Sequence, residues 1–131
     1  MATRSAICIA NKDRSLTGVY CHWDGYPGHQ LPNLKEFYGN AHRARRLIAG
    51  GHMSSLRTTT KWDSEGREVV DEPLSEYKPL YYRDRPGYEQ EDNRPVQSEN
   101  IQTACKEWRE WGCEVLYIYD LRKGWSYIYL S

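Results

Sequence analysis

Cys113-Glu114-Val115-Leu116-Tyr117-Ile118-Tyr119-Asp120, followed by Leu121-Arg122-Lys123-Gly124 and then Trp125-Ser126-Tyr127-Ile128-Tyr129-Leu130-Ser131, sets the fold class of this chain. Two runs rich in aromatic and β-branched residues flank a short polar turn, and Gly124 offers the positive φ that such a turn needs. The pattern predicts a β-hairpin, 113–120 paired with 125–131. Tyr117 and Tyr119 alternate with Leu116 and Ile118, and Tyr127 and Tyr129 with Ile128 and Leu130. Both faces are therefore apolar, as in strands covered from both sides.

Immediately upstream, Ile101, Cys105, Trp108 and Trp111 recur at helical spacing, with Ser98 as the expected N-cap and Gly112 as the stop. Residues 79–85 read as a strand closed by Pro86-Gly87 and followed by an acidic loop. At the other end, residues 4–10 and 16–23 form a second predicted hairpin across the polar turn 11–15. Asp24-Gly25-Tyr26-Pro27-Gly28-His29 then reads as a loop displaying its side chains. A short helix is expected at 32–38, opened by Pro32, and a second at 41–49, capped by Asn40 and stopped by Gly50-Gly51. Residues 54–77 are polar and read as a loop-rich excursion, with a strand only at 67–70. The expected fold is α+β in a single domain, 1–131. Its antiparallel sheet combines the N-terminal and C-terminal hairpins with a strand near 79–85, packed with about three short helices.

A length of 131 residues suits one domain with a core. The apolar fraction is a modest 39%, but five Trp and eleven Tyr supply large buried area, which argues against disorder. Eighteen basic residues balance eighteen acidic ones, so no global field draws the chain to duplex nucleic acid or an anionic membrane. The apolar run 6–10 is too brief for a signal-peptide core or a bilayer span, which leads to the expectation of a cytosolic protein. Cys8, Cys21, Cys105 and Cys113 are then expected as reduced, mostly buried thiols, and no C-x-x-C suggests a zinc ribbon or redox pair.

The densest chemical constellation is Tyr20-Cys21-His22-Trp23-Asp24-Gly25-Tyr26-Pro27-Gly28-His29. On a strand, His22 and Asp24 share a side, where a carboxylate can orient an imidazole, but Cys21 lies opposite and no Gly-x-Ser-x-Gly supplies a nucleophile. For the same reason Cys21 and His22 cannot easily share a metal ion, so no metal site and no catalytic residue is assigned. Structurally, Trp23 and Tyr26 would pin the loop to the sheet while Asp24 closes the turn. Functionally, the loop would present His22, Trp23, Asp24, Tyr26 and His29 for binding. In Arg83-Asp84-Arg85, strand alternation puts both arginines on one face, a two-pronged grip for phosphate or carboxylate that competes with pairing to Glu89, Glu91 and Asp92. His42, Arg43, Arg45 and Arg46 lie largely on the outer face of the helix 41–49, where they solvate it or bind phosphate. The tyrosines of the C-terminal hairpin with Trp108, Trp111 and Trp125 suit core packing or protein contact better than base stacking, given the neutral charge. Neither a P-loop nor a Gly-x-Gly-x-x-Gly is present.

Arg4-Ser5-Ala6-Ile7-Cys8-Ile9 together with Tyr20-Cys21-His22-Trp23-Asp24-Gly25-Tyr26-Pro27 resembles a family of small proteins of uncharacterised activity encoded by tailed bacteriophages and prophages. The likeness continues through Leu47-Ile48-Ala49-Gly50-Gly51, Ser54-Ser55-Leu56 and Tyr82-Arg83-Asp84-Arg85 to Trp125, and implies expression in the host bacterial cytoplasm. By analogy with small accessory phage proteins, the expected function is a binding module without a cofactor that blocks or sequesters a host factor, such as a defence component. Its binding residues would be His22, Trp23, Asp24, Tyr26, His29, Arg83 and Arg85. One alternative is a sponge for a nucleotide signal, with Arg83, Arg85 and His22 on phosphates and Trp23 or Tyr26 on the base. Another is a metal-assisted hydrolase using His22, Asp24 and His29. The expected partner is thus a host protein or a nucleotide-like small molecule.

Overall fold

The computed structural model describes residues 2–71, 76–88 and 90–131. The N-terminal hairpin pairs β1 (Ser5–Ala10) with β2 (Leu16–Cys21) in antiparallel register, Ile7 opposite Val19. Two helices follow, α1 (Pro27–Phe37) and α2 (Ala41–Ala49). Next come β3 (Met53–Thr58), β4 (Thr60–Trp62), β5 (Glu68–Val70) and β6 (Lys78–Tyr81), the last running into a 3-10 turn at Tyr82–Asp84. The chain ends with β7 (Val96–Ser98), α3 (Ile101–Glu110), β8 (Val115–Asp120) and β9 (Gly124–Tyr129). Among the described residues one seven-stranded sheet has the order β6-β3-β2-β1-β8-β9, with β7 also on β2, while β4 and β5 form a separate hairpin.

The α+β class and both terminal hairpins follow the sequence pattern, but the sheet is mixed where an antiparallel one was expected. Both hairpins meet through a parallel pair, Ser5 opposite Val115 and Ile9 opposite Tyr119. The reason is a crossover. β7 and β1 both run antiparallel to β2, so β7 and β8 share a direction and α3 carries the chain between them across the sheet face. In the same way α1 and α2 connect β2 to its parallel neighbour β3. Helices therefore cover both faces, and the central strand β1 is buried along nearly its whole length. Ile7, Ile9, Val19, Tyr117 and Tyr119 pack with α1 and α2; Ala6, Cys8, Leu116 and Ile118 pack beneath Ala104 and Trp108 of α3.

Several local expectations shift. α1 begins at Pro27 rather than Pro32, because Pro27 occupies the first helical turn where its missing N–H costs nothing. α2 has its expected Asn40 cap, whose side chain accepts from the Arg43 N–H at 2.9 Å. α3 is capped by Asn100, not Ser98; Ser98 lies in β7 and Asn100 Oδ1 accepts from the Thr103 N–H at 2.8 Å. Its buried residues are Ala104 and Trp108, whereas Ile101 and Trp111 face outward. Residues 54–77 include β3, a sheet strand whose polar sequence hid it; residues 72–75 lie outside those described. In the C-terminal hairpin β8 is buried on both faces, but beyond Trp125 the edge strand β9 is exposed. Cys8, Cys21 and Cys113 are buried free thiols, with burial pushing Cys21 up to about 11 and Cys113 up to about 12. Among the described residues no helix is long and apolar enough to cross a membrane.

Candidate functional site

The 22–29 segment is held by its backbone rather than by its aromatic side chains. Asp24 adopts a left-handed φ of 57°, which swings the chain so that the Gly25 N–H donates to Thr3 O at 2.8 Å. A Cβ on Gly25 would lie 2.6 Å from Ser5 Cβ, so only glycine fits this approach. Tyr117 Oη donates to Gly25 O at 2.6 Å from the far side of the core. Trp23 and Tyr26, expected to pin the loop, are instead 41% and 48% exposed. The Asp24 side chain makes no hydrogen bond among the described residues, so the expected turn closure is supplied by backbone geometry instead.

His22 does not pair with Asp24. Its Nδ1 lies 2.7 Å from Tyr20 Oη, and its ring meets Trp23 edge-on at 4.7 Å. Desolvation, aided by the charge of Arg4, lowers the His22 pKa, while desolvation pushes the Tyr20 phenol up to about 12. A protonated phenol and a neutral imidazole therefore share this hydrogen bond. His29 sits in the first turn of α1, 5.7 Å from the Tyr26 ring, and Asn33 Nδ2 donates to His29 O at 2.8 Å. Among the described residues no three His, Cys, Asp or Glu side chains gather as a metal site. His22, Asp24 and His29 thus lack the geometry a metal-assisted hydrolase would use.

Arg83 and Arg85 separate. The strand ends at Tyr81 and the following 3-10 turn abolishes the two-residue alternation that would have placed both on one face. Arg85 is committed to structure: its Nε donates to Gly66 O at 2.8 Å, its Nη1 bonds Tyr88 Oη, and its guanidinium lies over the Tyr88 and Trp62 rings. Of its expected acidic partners, Glu89 lies outside the described residues and Asp92 pairs with Arg94 at 3.0 Å.

Arg83 reaches a different place. It lines a cleft of about 290 Å³ together with Arg43 and Arg46 from α2, Phe37 and Tyr38 from the end of α1, and Tyr81 from β6. The i, i+3 spacing of Arg43 and Arg46 puts them on one helix face, and helix α2 delivers that face to the edge strand β6. Neither arginine has an ion pair among the described residues; Arg83 lies 3.7 Å from the exposed Asp84 carboxylate and 4.7 Å above the Tyr81 ring. Tyr81 Oη donates to Leu47 O at 2.8 Å, and burial pushes this phenol up to about 12 against the opposing charges of Arg83 and Arg46. Arg57, 3.6 Å above the Phe37 ring, extends the positive field. The cleft thus combines three guanidinium groups with protonated phenols and, among the described residues, no lining carboxylate. In sequence, the signals were the basic cluster His42, Arg43, Arg45 and Arg46, for which solvation of an outer helix face was the favoured account, and Arg83, which was grouped with Arg85 instead.

His52, which sequence reasoning passed over, is 6% exposed, and its Nδ1 accepts the Tyr20 backbone N–H at 2.9 Å. Desolvation lowers its pKa, partly offset by Asp92. A histidine with a depressed folded pKa contributes stability that is present above its unfolded pKa and lost as pH falls through the folded one. The melting temperature should therefore fall as pH drops below about 6.5, with His22 adding in the same direction. His52→Gln should shallow this pH dependence, which thermal melts across that range measure.

Comparison of the chain with protein-family models, with curated proteins and with solved structures gives no match.

Proposed function

We propose that the protein is a binding module that sequesters a phosphate-bearing small molecule of the nucleotide class in the Arg43–Arg46–Arg83 cleft. The observation that carries this reading is the convergence of three arginines from two separate elements on one concavity that no carboxylate lines among the described residues. Planar guanidinium groups suit phosphate oxygens, and Tyr38, Tyr81 and Phe37 offer ring faces and hydroxyls for the rest of the ligand. Chemically this is the nucleotide sponge foreseen from sequence, with Arg43 and Arg46 taking the places given there to Arg85 and His22. The resemblance to phage proteins gives such capture a biological setting in the host cytoplasm, where it would starve a defence component of its signal.

Isothermal titration of the full chain with ADP and with pyrophosphate tests the reading. Saturable binding is expected, weakening steeply with salt and falling about tenfold or more in each of Arg46→Ala and Arg83→Ala, the size of a lost charge-assisted hydrogen bond. The ligand should be recovered intact. Absence of saturable binding, or affinity indifferent to these arginines, would overturn it. A second reading, obstruction of a host protein, rests on the exposed Trp23 and Tyr26 side by side with His22 and His29. It predicts loss of a stoichiometric bacterial partner in the Trp23→Ala, Tyr26→Ala double variant.

A further inference from the structure

On the face of the sheet that carries α3, two clefts of about 250 and about 420 Å³ share His52, Asp92 and Trp111. His52 is nine-tenths buried and its Nδ1 lone pair is taken by the Tyr20 N–H. Burial opposes its charged form, so the neutral ring carries its proton on Nε2. That N–H donor has no acceptor among the described residues. Beside it stands Trp111, at the end of α3, with its ring 5.0 Å from the imidazole and 5.9 Å from the Tyr20 ring. Trp111 is 46% exposed, with the rings of Tyr20, His52 and Trp108 against it, so the donor is flanked by a partly open aromatic surface. The third shared residue, Asp92, is held ionised by Arg94, with its pKa lowered to about 2.

We propose that these clefts form a second binding site, separate from the arginine cleft, for an amino-bearing nitrogen heteroaromatic ring of the nucleobase class. The ring stacks on Trp111, a ring nitrogen accepts from His52 Nε2–H, and the adjacent exocyclic amine donates to the Asp92 carboxylate. An acceptor beside a donor on one ring edge is the arrangement presented by adenine or cytosine. Glu91 and Asp92 lie in the lining beside Arg85 and Arg94, whose guanidinium groups are already bonded within the protein, whereas Arg43 and Arg46 have no ion pair among the described residues, and this distinguishes the two sites chemically.

Ligand-observed NMR titration of the full chain with adenosine, which carries no phosphate, tests the proposal. Saturable binding is expected, about tenfold weaker in Trp111→Leu, with circular dichroism establishing that the variant is folded. Inosine, with a carbonyl in place of the amine, should bind about tenfold more weakly, and Asp92→Asn should narrow that difference. Arg46→Ala should leave adenosine binding unchanged while weakening pyrophosphate, so failure here is distinguishable from failure of the arginine cleft. No saturable adenosine binding by the folded protein, equal affinity for inosine, or indifference to Trp111→Leu would each overturn the assignment.

Discussion

Trp108→Ala is expected to destabilise the protein by about 3–5 kcal/mol, the range for removing a buried indole. Trp108 is 1% exposed and is the largest side chain joining α3 to the sheet, within the cluster of Ala6, Cys8, Leu16, Leu116 and Ile118. Gly18 makes room for it: a Cβ there would stand 2.5 Å from Cys8 Sγ and 3.3 Å from Trp108 Cζ2. With backbone rather than side chain beneath the ring, the sheet has little to collapse into the vacated space, which places the loss at the upper end. Against a typical stability of about 5–15 kcal/mol, this consumes a large share of the total. Urea denaturation followed by tryptophan fluorescence should show a lowered midpoint at an unchanged slope. A loss below about 1 kcal/mol would mean that α3 does not anchor the β7–β8 crossover.

Gly51→Ala should cost about 2–4 kcal/mol, from a left-handed backbone penalty of about 1–2 kcal/mol and a lost hydrogen bond of about 0.5–1.5 kcal/mol with accompanying displacement. Gly51 has φ +90°, and an added Cβ would overlap the carbonyl oxygen of Asn93. That same carbonyl accepts the His52 N–H at 2.9 Å, so the methyl group must push the 90–94 segment away and break this bond. Accelerated amide exchange at His52, alongside the stability loss, would report the displacement. Gly87→Ala is the control: φ is +89° but nothing among the described residues lies within 4 Å of a Cβ, so the backbone penalty alone is expected. Equal effects at both positions would contradict the steric account.

The terminal hairpins were legible because their signals are local: alternation of apolar residues sets the strands, and Asn11–Ser15 or the glycine at 124 sets the turns. The same holds for α2, where Asn40 and the Gly50-Gly51 pair bound a helical stripe of Ala44, Leu47 and Ile48. The candidate site was only partly legible. Arg83 was read correctly as cationic, but its partnership with Arg85 assumed that a strand continues past Tyr81. The 22–29 segment looked like a loop because Gly25, Pro27 and Gly28 dominate it, whereas Pro27 opens a helix and moves His29 onto it.

What the sequence by itself determined was therefore the set of short-range elements: two hairpins, the capped helix α2, the helix α3 with its Gly112 end, and an α+β composition. The tertiary structure decided the parallel union of β1 with β8, the entry of the polar β3 into the sheet, and the meeting of Arg43 and Arg46 with Arg83. The physical reason is range. Capping and alternation are settled within one or two turns of chain, but pairing partners and clefts depend on how separate apolar faces are buried together, and no local pattern encodes that choice.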